Sequence, residues 1–278
     1  MPNQIAVLSR ALVLAACALL CQPVLAQDQT VPSAPEPAKR AAAKRPERVY
    51  LKDLEGTWIA RDYLERLRAS RAPHATARQA AGIAIKIQRE GNTWPIAITN
   101  FQRVVLQVII DVQPDSKPGS YRLAVAKEDQ AGVSASDLTY MPFRGERNAE
   151  GLFQTLSIAE PTFAKRRFLA YLRLNEPLEA LVNRIVIAGS YVDAEGKAYE
   201  FTDGGEARLP DVSFVYEVSL DPGEASCELL RSHREREPEG QQRIGFQWKG
   251  AELRLYNVTG KKRPYQCEAK PFAVLTRR

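Results

Sequence analysis

Isoleucines 83, 85 and 87 alternate with Ala84 and Lys86, and after the turn Glu90-Gly91-Asn92 the chain returns with Trp94, Ile96 and Ile98 in the same phase. A period of two is the mark of a strand with one buried face. Pro95 has no N–H to give to a ladder, so its strand is expected at an edge or to begin late. The alternation recurs at Val104, Leu106, Val108 and Ile110, where the opposite face is also apolar except for Gln107, so burial on both faces is expected. It recurs again at Tyr121, Leu123 and Val125, at Phe168, Ala170 and Leu172, and at Phe214, Tyr216, Val218 and Leu220. A late hairpin sets Ile244, Phe246 and Trp248 against Leu253 and Leu255 across Gly250. Many short strands joined by hairpin-like turns predict an all-β fold, an antiparallel barrel or a strongly curved sheet. The long helical crossovers of a parallel sheet are missing from the pattern. Helical spacing is confined to residues 61–70, where Tyr63, Leu64 and Leu67 share a face, to 73–82, and to a turn near 175–183.

The first residues read differently. Arg10 precedes an apolar run at 11–20, and Val24 and Ala26 give the small-residue pattern of a signal peptidase site, so residues 1–26 are expected to be a signal peptide. The run is too short for a permanent span, and no other stretch approaches one. Leu14 to Cys17 also reads as a lipobox, which offers lipidation of Cys17 as an alternative. Residues 27–48, rich in Pro, Ala and Lys/Arg, lack the apolar side chains to offset ordering and are expected to be a tether. The expected location is the periplasm of a Gram-negative bacterium, or the outer membrane if Cys17 carries lipid. Residues 49–278 are expected to form one β domain.

Export sets the reading of the cysteines. Of four, Cys17 and Cys21 fall in the leader, leaving Cys227 and Cys267. In an oxidising compartment these make one disulfide. Two thiols and His233 without a CxxC do not make a metal site.

The segment "LEGTWIA", with the terminal strand-turn-strand "IGFQWKGAELRLYNV", resembles the lipocalin-like end of the calycin superfamily. The resemblance implies that Gly56 and Trp58 open a barrel and that a basic side chain from a late strand packs against the Trp. Arg254 and Arg277 are the candidates for that side chain, with Arg254 preferred. It also implies a cavity for a small apolar or lipid-like ligand, with Trp94, Phe214, Tyr216, Phe246 and Trp248 as its lining. A barrel interior can equally be filled by its own side chains. The chain departs from the family in lacking a Thr-Asp-Tyr turn, in showing no helix after the barrel, and in its length.

No catalytic motif is present. GxSxG, HExxH, the P-loop and the dinucleotide glycines are all missing. His74 and His233, the two histidines, read as surface residues. The carboxylates Asp211 and Glu217, or Glu200 and Asp203, have the types a glycosidase needs, but sequence fixes no separation between them. The charge is +6, with 39 Lys and Arg against 33 Asp and Glu, and falls to +5 when Arg10 leaves with the leader. So mild an excess does not call for nucleic acid, although basics and aromatics interleave at 163–173 and 260–266. The reading is an exported binding protein with no cofactor or metal, whose partner is a small apolar ligand. An envelope interaction module without a cavity stands second, and a carbohydrate- or ester-active hydrolase third. Membrane contact is expected only through Cys17.

Overall fold

Alternation in the sequence becomes two rings of hydrogen-bonded strands. The computed structural model describes residues 48–100, 104–117, 119–127, 138–159, 168–233, 243–260 and 262–278. The expected leader, the lipidation site Cys17 and all but the last residue of the tether lie outside these residues.

The first ring contains β1 (Gly56–Ala60), β2 (Ala84–Ile87), β3 (Pro95–Thr99), β4 (Val104–Pro114), β5 (Ser120–Lys127), β6 (Thr139–Arg147), β7 (Phe153–Ala159) and β8 (Phe168–Arg173). Each pairs antiparallel with the next, and β1 pairs with β8, closing an eight-stranded barrel of calycin-compatible type. The second sheet contains β9 (Gly189–Val192), β10 (Ala198–Phe201), β11 (Glu206–Leu209), β12 (Val212–Val218), β13 (Glu228–His233), β14 (Arg243–Lys249), β15 (Glu252–Thr259), β16 (Gln266–Cys267) and β17 (Ala273–Arg277). Its order is β14-β13-β12-β11-β10-β9-β17-β15-β16, and β14 also pairs with β15, so all strands but β16 lie on a second closed ring. The range 49–278 thus carries two successive barrels.

Short helices join them: α1 (Leu51–Leu54) before β1, α2 (Arg61–Ser70) and α3 (Pro73–Gln79) between β1 and β2, and α4 (Leu178–Val186) between β8 and β9. In α2, Tyr63, Leu64 and Leu67 are buried while Arg61, Glu65 and Arg68 face water, as the spacing predicts. The helix expected to be missing after the barrel is present as α4.

Side chains facing inward fill each ring. In the first, Ile85, Ile87, Ile96 and Ile98 meet across β2 and β3, and Tyr121 stacks on Phe143 at 5.3 Å between ring centres. In the second, Phe201 lies 5.7 Å from Tyr216 and 6.1 Å from Tyr191. Both rings belong to one continuous buried core. Strand β3 is paired on both sides and begins at Pro95, so of the two places expected for this proline, an edge or a late start, the strand takes the late start. Two expectations are corrected. The face of β4 carrying Val104, Leu106 and Ile110 is the outer one, with exposures of 55%, 49% and 49%, while Val105, Gln107 and Ile109 face inward. Phe168 also points outward, and Tyr171 is the buried residue of β8.

The two rings close by the same device. Gly56 stands at φ 140° and Gly189 at φ 153°, a region that a Cβ resists. Two residues on, Trp58 pairs with Arg173 and Tyr191 with Arg277. The Trp58 indole donates to Leu54 O at 3.0 Å, and the Tyr191 hydroxyl donates to Ile187 O at 2.6 Å, each four residues back. Arg173 Nη2 donates to Glu55 O at 2.5 Å and Arg277 Nη2 to Ala188 O at 3.3 Å, the carbonyl just before the glycine in each case. Arg173 also lies 5.3 Å from the Trp58 ring centre and reaches Asp53 O and Phe153 O. The preferred partner Arg254 does not take this part. It sits on β15 of the other barrel and pairs with Glu252 at 2.9 Å, because β15 never borders β1.

Replacement Arg173→Ala leaves several part-buried carbonyls unpaired and uncovers Trp58. A loss of about 2–4 kcal/mol is expected in urea unfolding followed by tryptophan fluorescence. Arg254→Ala is expected to leave the transition in place.

Candidate functional site

Where α2 turns into α3, the chain leaves the first ring and lies against the outside of the second. Helix α2 stops at Arg71, whose left-handed backbone (φ 52°, ψ 26°) breaks the helix, and Pro73 opens α3 in the first turn, where its missing N–H costs nothing. Inside the corner, Ser70 Oγ meets Thr76 Oγ1 at 2.9 Å and accepts from Ala72 N.

Two contacts tie α3 to the second barrel. The Glu228 carboxylate at the start of β13 accepts His74 N at 2.7 Å and Ala75 N at 3.1 Å, satisfying free donors of the α3 first turn. Arg78 donates to Pro222 O at 2.7 Å. Beside them Cys227 and Cys267 form the expected disulfide, which holds β16 against the start of β13. The disulfide lies over Gly245, where a Cβ would collide with Cys267 Sγ and stand 2.9 Å from Cys227 Sγ.

Between these elements opens a cleft of about 560 Å³. Arg71, His74 and Arg78 form its helical wall; Glu228, Trp248 and the disulfide belong to the barrel wall. Trp248 is fixed by its indole, which donates to Val186 O at 2.8 Å, and by Tyr191 at 6.2 Å between rings. Arg71 lies over Trp248 at 4.6 Å from the ring centre.

His74 is the unexpected member. Read as a surface residue, it is 3% exposed, and neither ring nitrogen has a well-formed hydrogen bond among the described residues, the Cys227 carbonyl being a weak partner only. Its Nδ1 stands 3.9 Å from Glu228 Oε2. Burial lowers its pKa from 6.5 to about 4, against the opposing pull of the Cys227 carbonyl and Glu224. Behind it, the Tyr63 hydroxyl is also buried without a partner, and burial and Glu228 both push its pKa up. Burial raises the Glu228 carboxyl, with the two α3 amides pulling the other way.

The residues expected to line one cavity do not share one. Trp94 belongs to the first barrel, half-buried just before β3, while Phe214, Tyr216, Phe246 and Trp248 belong to the second. Phe214, Tyr216 and Phe246 are core residues there, and Phe246 and Trp248 also border the cleft. The side chain of His233 is outside the described part. The candidate carboxylates are held in ion pairs or exposed: Glu217 with Arg231 at 2.9 Å, Glu200 with Arg208 at 3.4 Å, Asp203 with Arg184 at 3.9 Å, and Asp211 in solvent. Of the interleaved aromatics, Phe168 is covered by Arg144 and Tyr265 by Arg243, basic residues from outside those two segments. Among the described residues no three His, Cys, Asp or Glu side chains gather as metal ligands, and no helix is long and apolar enough to cross a membrane.

Comparison with known proteins finds no matching family model, no similar curated protein and no similar solved structure.

A base whose folded pKa is depressed stabilises the fold above its unfolded pKa. Between pH 6.5 and about 4 the unfolded chain takes up a proton that His74 in the folded chain refuses, so stability falls as pH falls. The expected contribution is roughly 3 kcal/mol across that window. Glu228, with its raised pKa, contributes the opposite slope in both proteins compared. Urea midpoints measured from pH 7 to pH 4 are expected to show wild type falling relative to His74→Leu as the pH drops.

Proposed function

We propose that this is an exported binding protein that takes a small polar ligand in the cleft between the α2–α3 corner and the outer face of the second barrel. The observation that carries the reading is His74: a buried imidazole without a well-formed hydrogen bond on the wall of an open cleft of about 560 Å³, a size suited to a small molecule. Buried polar atoms ordinarily find partners, so an imidazole without a well-formed one on a cleft wall has hydrogen-bonding capacity to offer a ligand. The apolar ligand first expected inside a barrel gives way to this cleft because Tyr191, Phe201, Tyr216 and Trp248 pack the second barrel with their own rings. The disulfide and the α3 contacts make the cleft walls rigid, which lowers the ordering cost of binding.

Export rests on residues 1–26, and periplasmic placement on cleavage after Ala26. Lipidation at Cys17 would place the same module on the outer membrane.

Native mass spectrometry of protein exported with its own leader tests both parts. The expected polypeptide starts at Gln27, is two hydrogens light for the disulfide, and carries an adduct of roughly a few hundred daltons that denaturation removes. Ala75→Trp, which fills the cleft from an exposed position, is expected to arrive without the adduct. An adduct kept by this variant would move the ligand elsewhere, and a diacylglyceryl-modified Cys17 would replace the cleavage site.

A further inference from the structure

The cleft wall carries a cation that the protein does not neutralise. Arg66, Arg184, Arg231, Arg254 and Arg263 each sit in an ion pair with Asp or Glu. Arg71 has no such pair among the described residues, although it is half-buried. Its backbone is also the one non-glycine with positive φ among the described residues, at a helix end where glycine is the usual occupant. An arginine held in a conformation that a Cβ resists, over a ring that is itself anchored, is a preorganised cation. Lying over Trp248 occupies the guanidinium face and leaves its in-plane N–H donors for an oxyanion.

His74 adds the second element on the same wall. A neutral imidazole offers one N–H and one acceptor, and neither nitrogen is engaged in a well-formed hydrogen bond. The acids of the cleft are already engaged, Glu228 by the amides of His74 and Ala75 and Glu268 by Asn257 Nδ2 at 2.9 Å. Arg78 on the same wall is turned to Pro222 O, which leaves Arg71 and one neutral donor, a pair that suits a planar monoanion.

We propose that Arg71 and His74 form a carboxylate-binding subsite in this cleft, so that the ligand is a small organic acid; the assignment rests on the cleft being the binding site. Such a carboxylate is found at the free end of a peptide and on a uronic acid.

Imidazole 15N spectra resolve the test, since the chain holds two histidines and His233 serves as the internal reference. Acetate is expected to shift His74 and not His233, and N-acetylalanine or galacturonate to do so at lower concentration. Whichever of those two binds more tightly names the source and supports the assignment. Arg71→Gly places the favoured residue at the left-handed position, so its melting temperature is expected to hold or rise while binding weakens tenfold or more. Unchanged binding in Arg71→Gly overturns the carboxylate subsite and leaves the cleft standing if Ala75→Trp still abolishes binding. Inorganic phosphate binding as tightly as acetate overturns the monoanion. Failure of every carboxylate to shift His74 overturns the subsite, and the cleft itself falls only if the exported protein's adduct is retained by Ala75→Trp.

Discussion

A guanidinium at the seam closes each barrel. The strand that opens a barrel must meet the strand that ends it, and the chain entering that first strand carries carbonyls that no ladder pairs. Arg173 reaches two of them, Asp53 O and Glu55 O, together with Phe153 O on β7, and Arg277 takes the corresponding one in the second ring. A planar group with five donors suits this task better than an ammonium, because its hydrogen bonds diverge in one plane while its face covers Trp58. Without the seam, β1 and β9 would each present an open edge, and the inward face of the ring would lose its floor.

The same seam sets how the halves are joined. Few residues separate β8 from α4, and the last carbonyls of α4 are taken by the second barrel: Val186 O by Trp248 and Ile187 O by Tyr191. The linker helix thereby ends on the aromatic floor of the next ring. On the other side, α2 and α3 are inserted between β1 and β2 of the first ring; α2 packs against β1, β8 and α4, while α3 lies on β13 and the disulfide of the second. The cleft is therefore composite, and neither barrel alone supplies both of its walls.

Alternation made the strands legible, and the turn at Gly250 gave the register of β14 and β15, Phe246 on Leu255 and Trp248 on Leu253. It did not give the phase where both faces are apolar. In β4 the more hydrophobic set, Val104, Leu106, Val108 and Ile110, is the outer one, and only the ring's curvature decides which set faces in. The second ring stayed hidden because it has Tyr191 where the first has Trp58, and the shared motif shrinks to a Gly with an aromatic two residues on. Arg277 was among the candidates for the seam, but its partner is in its own barrel. Burial of His74 is not a local property at all. It follows from Glu228, more than 150 residues away, taking the α3 amides and drawing the helix down.

That tie also explains the charge of the cleft. A carboxylate buried at a helix start is tolerated because two amides face it, so Glu228 acts as a cap for α3. Glu224, close by, would be raised by burial but is held below its ordinary range by Arg231, the Ser219 hydroxyl and Arg263. Burial outweighs the nearby acids and keeps His74 neutral at neutral pH, and Arg71 is left on the wall beside Arg78, which is turned to Pro222 O. A cleft built in this way presents donors without a compensating acid. Its chemistry is set by what the surrounding residues have already consumed.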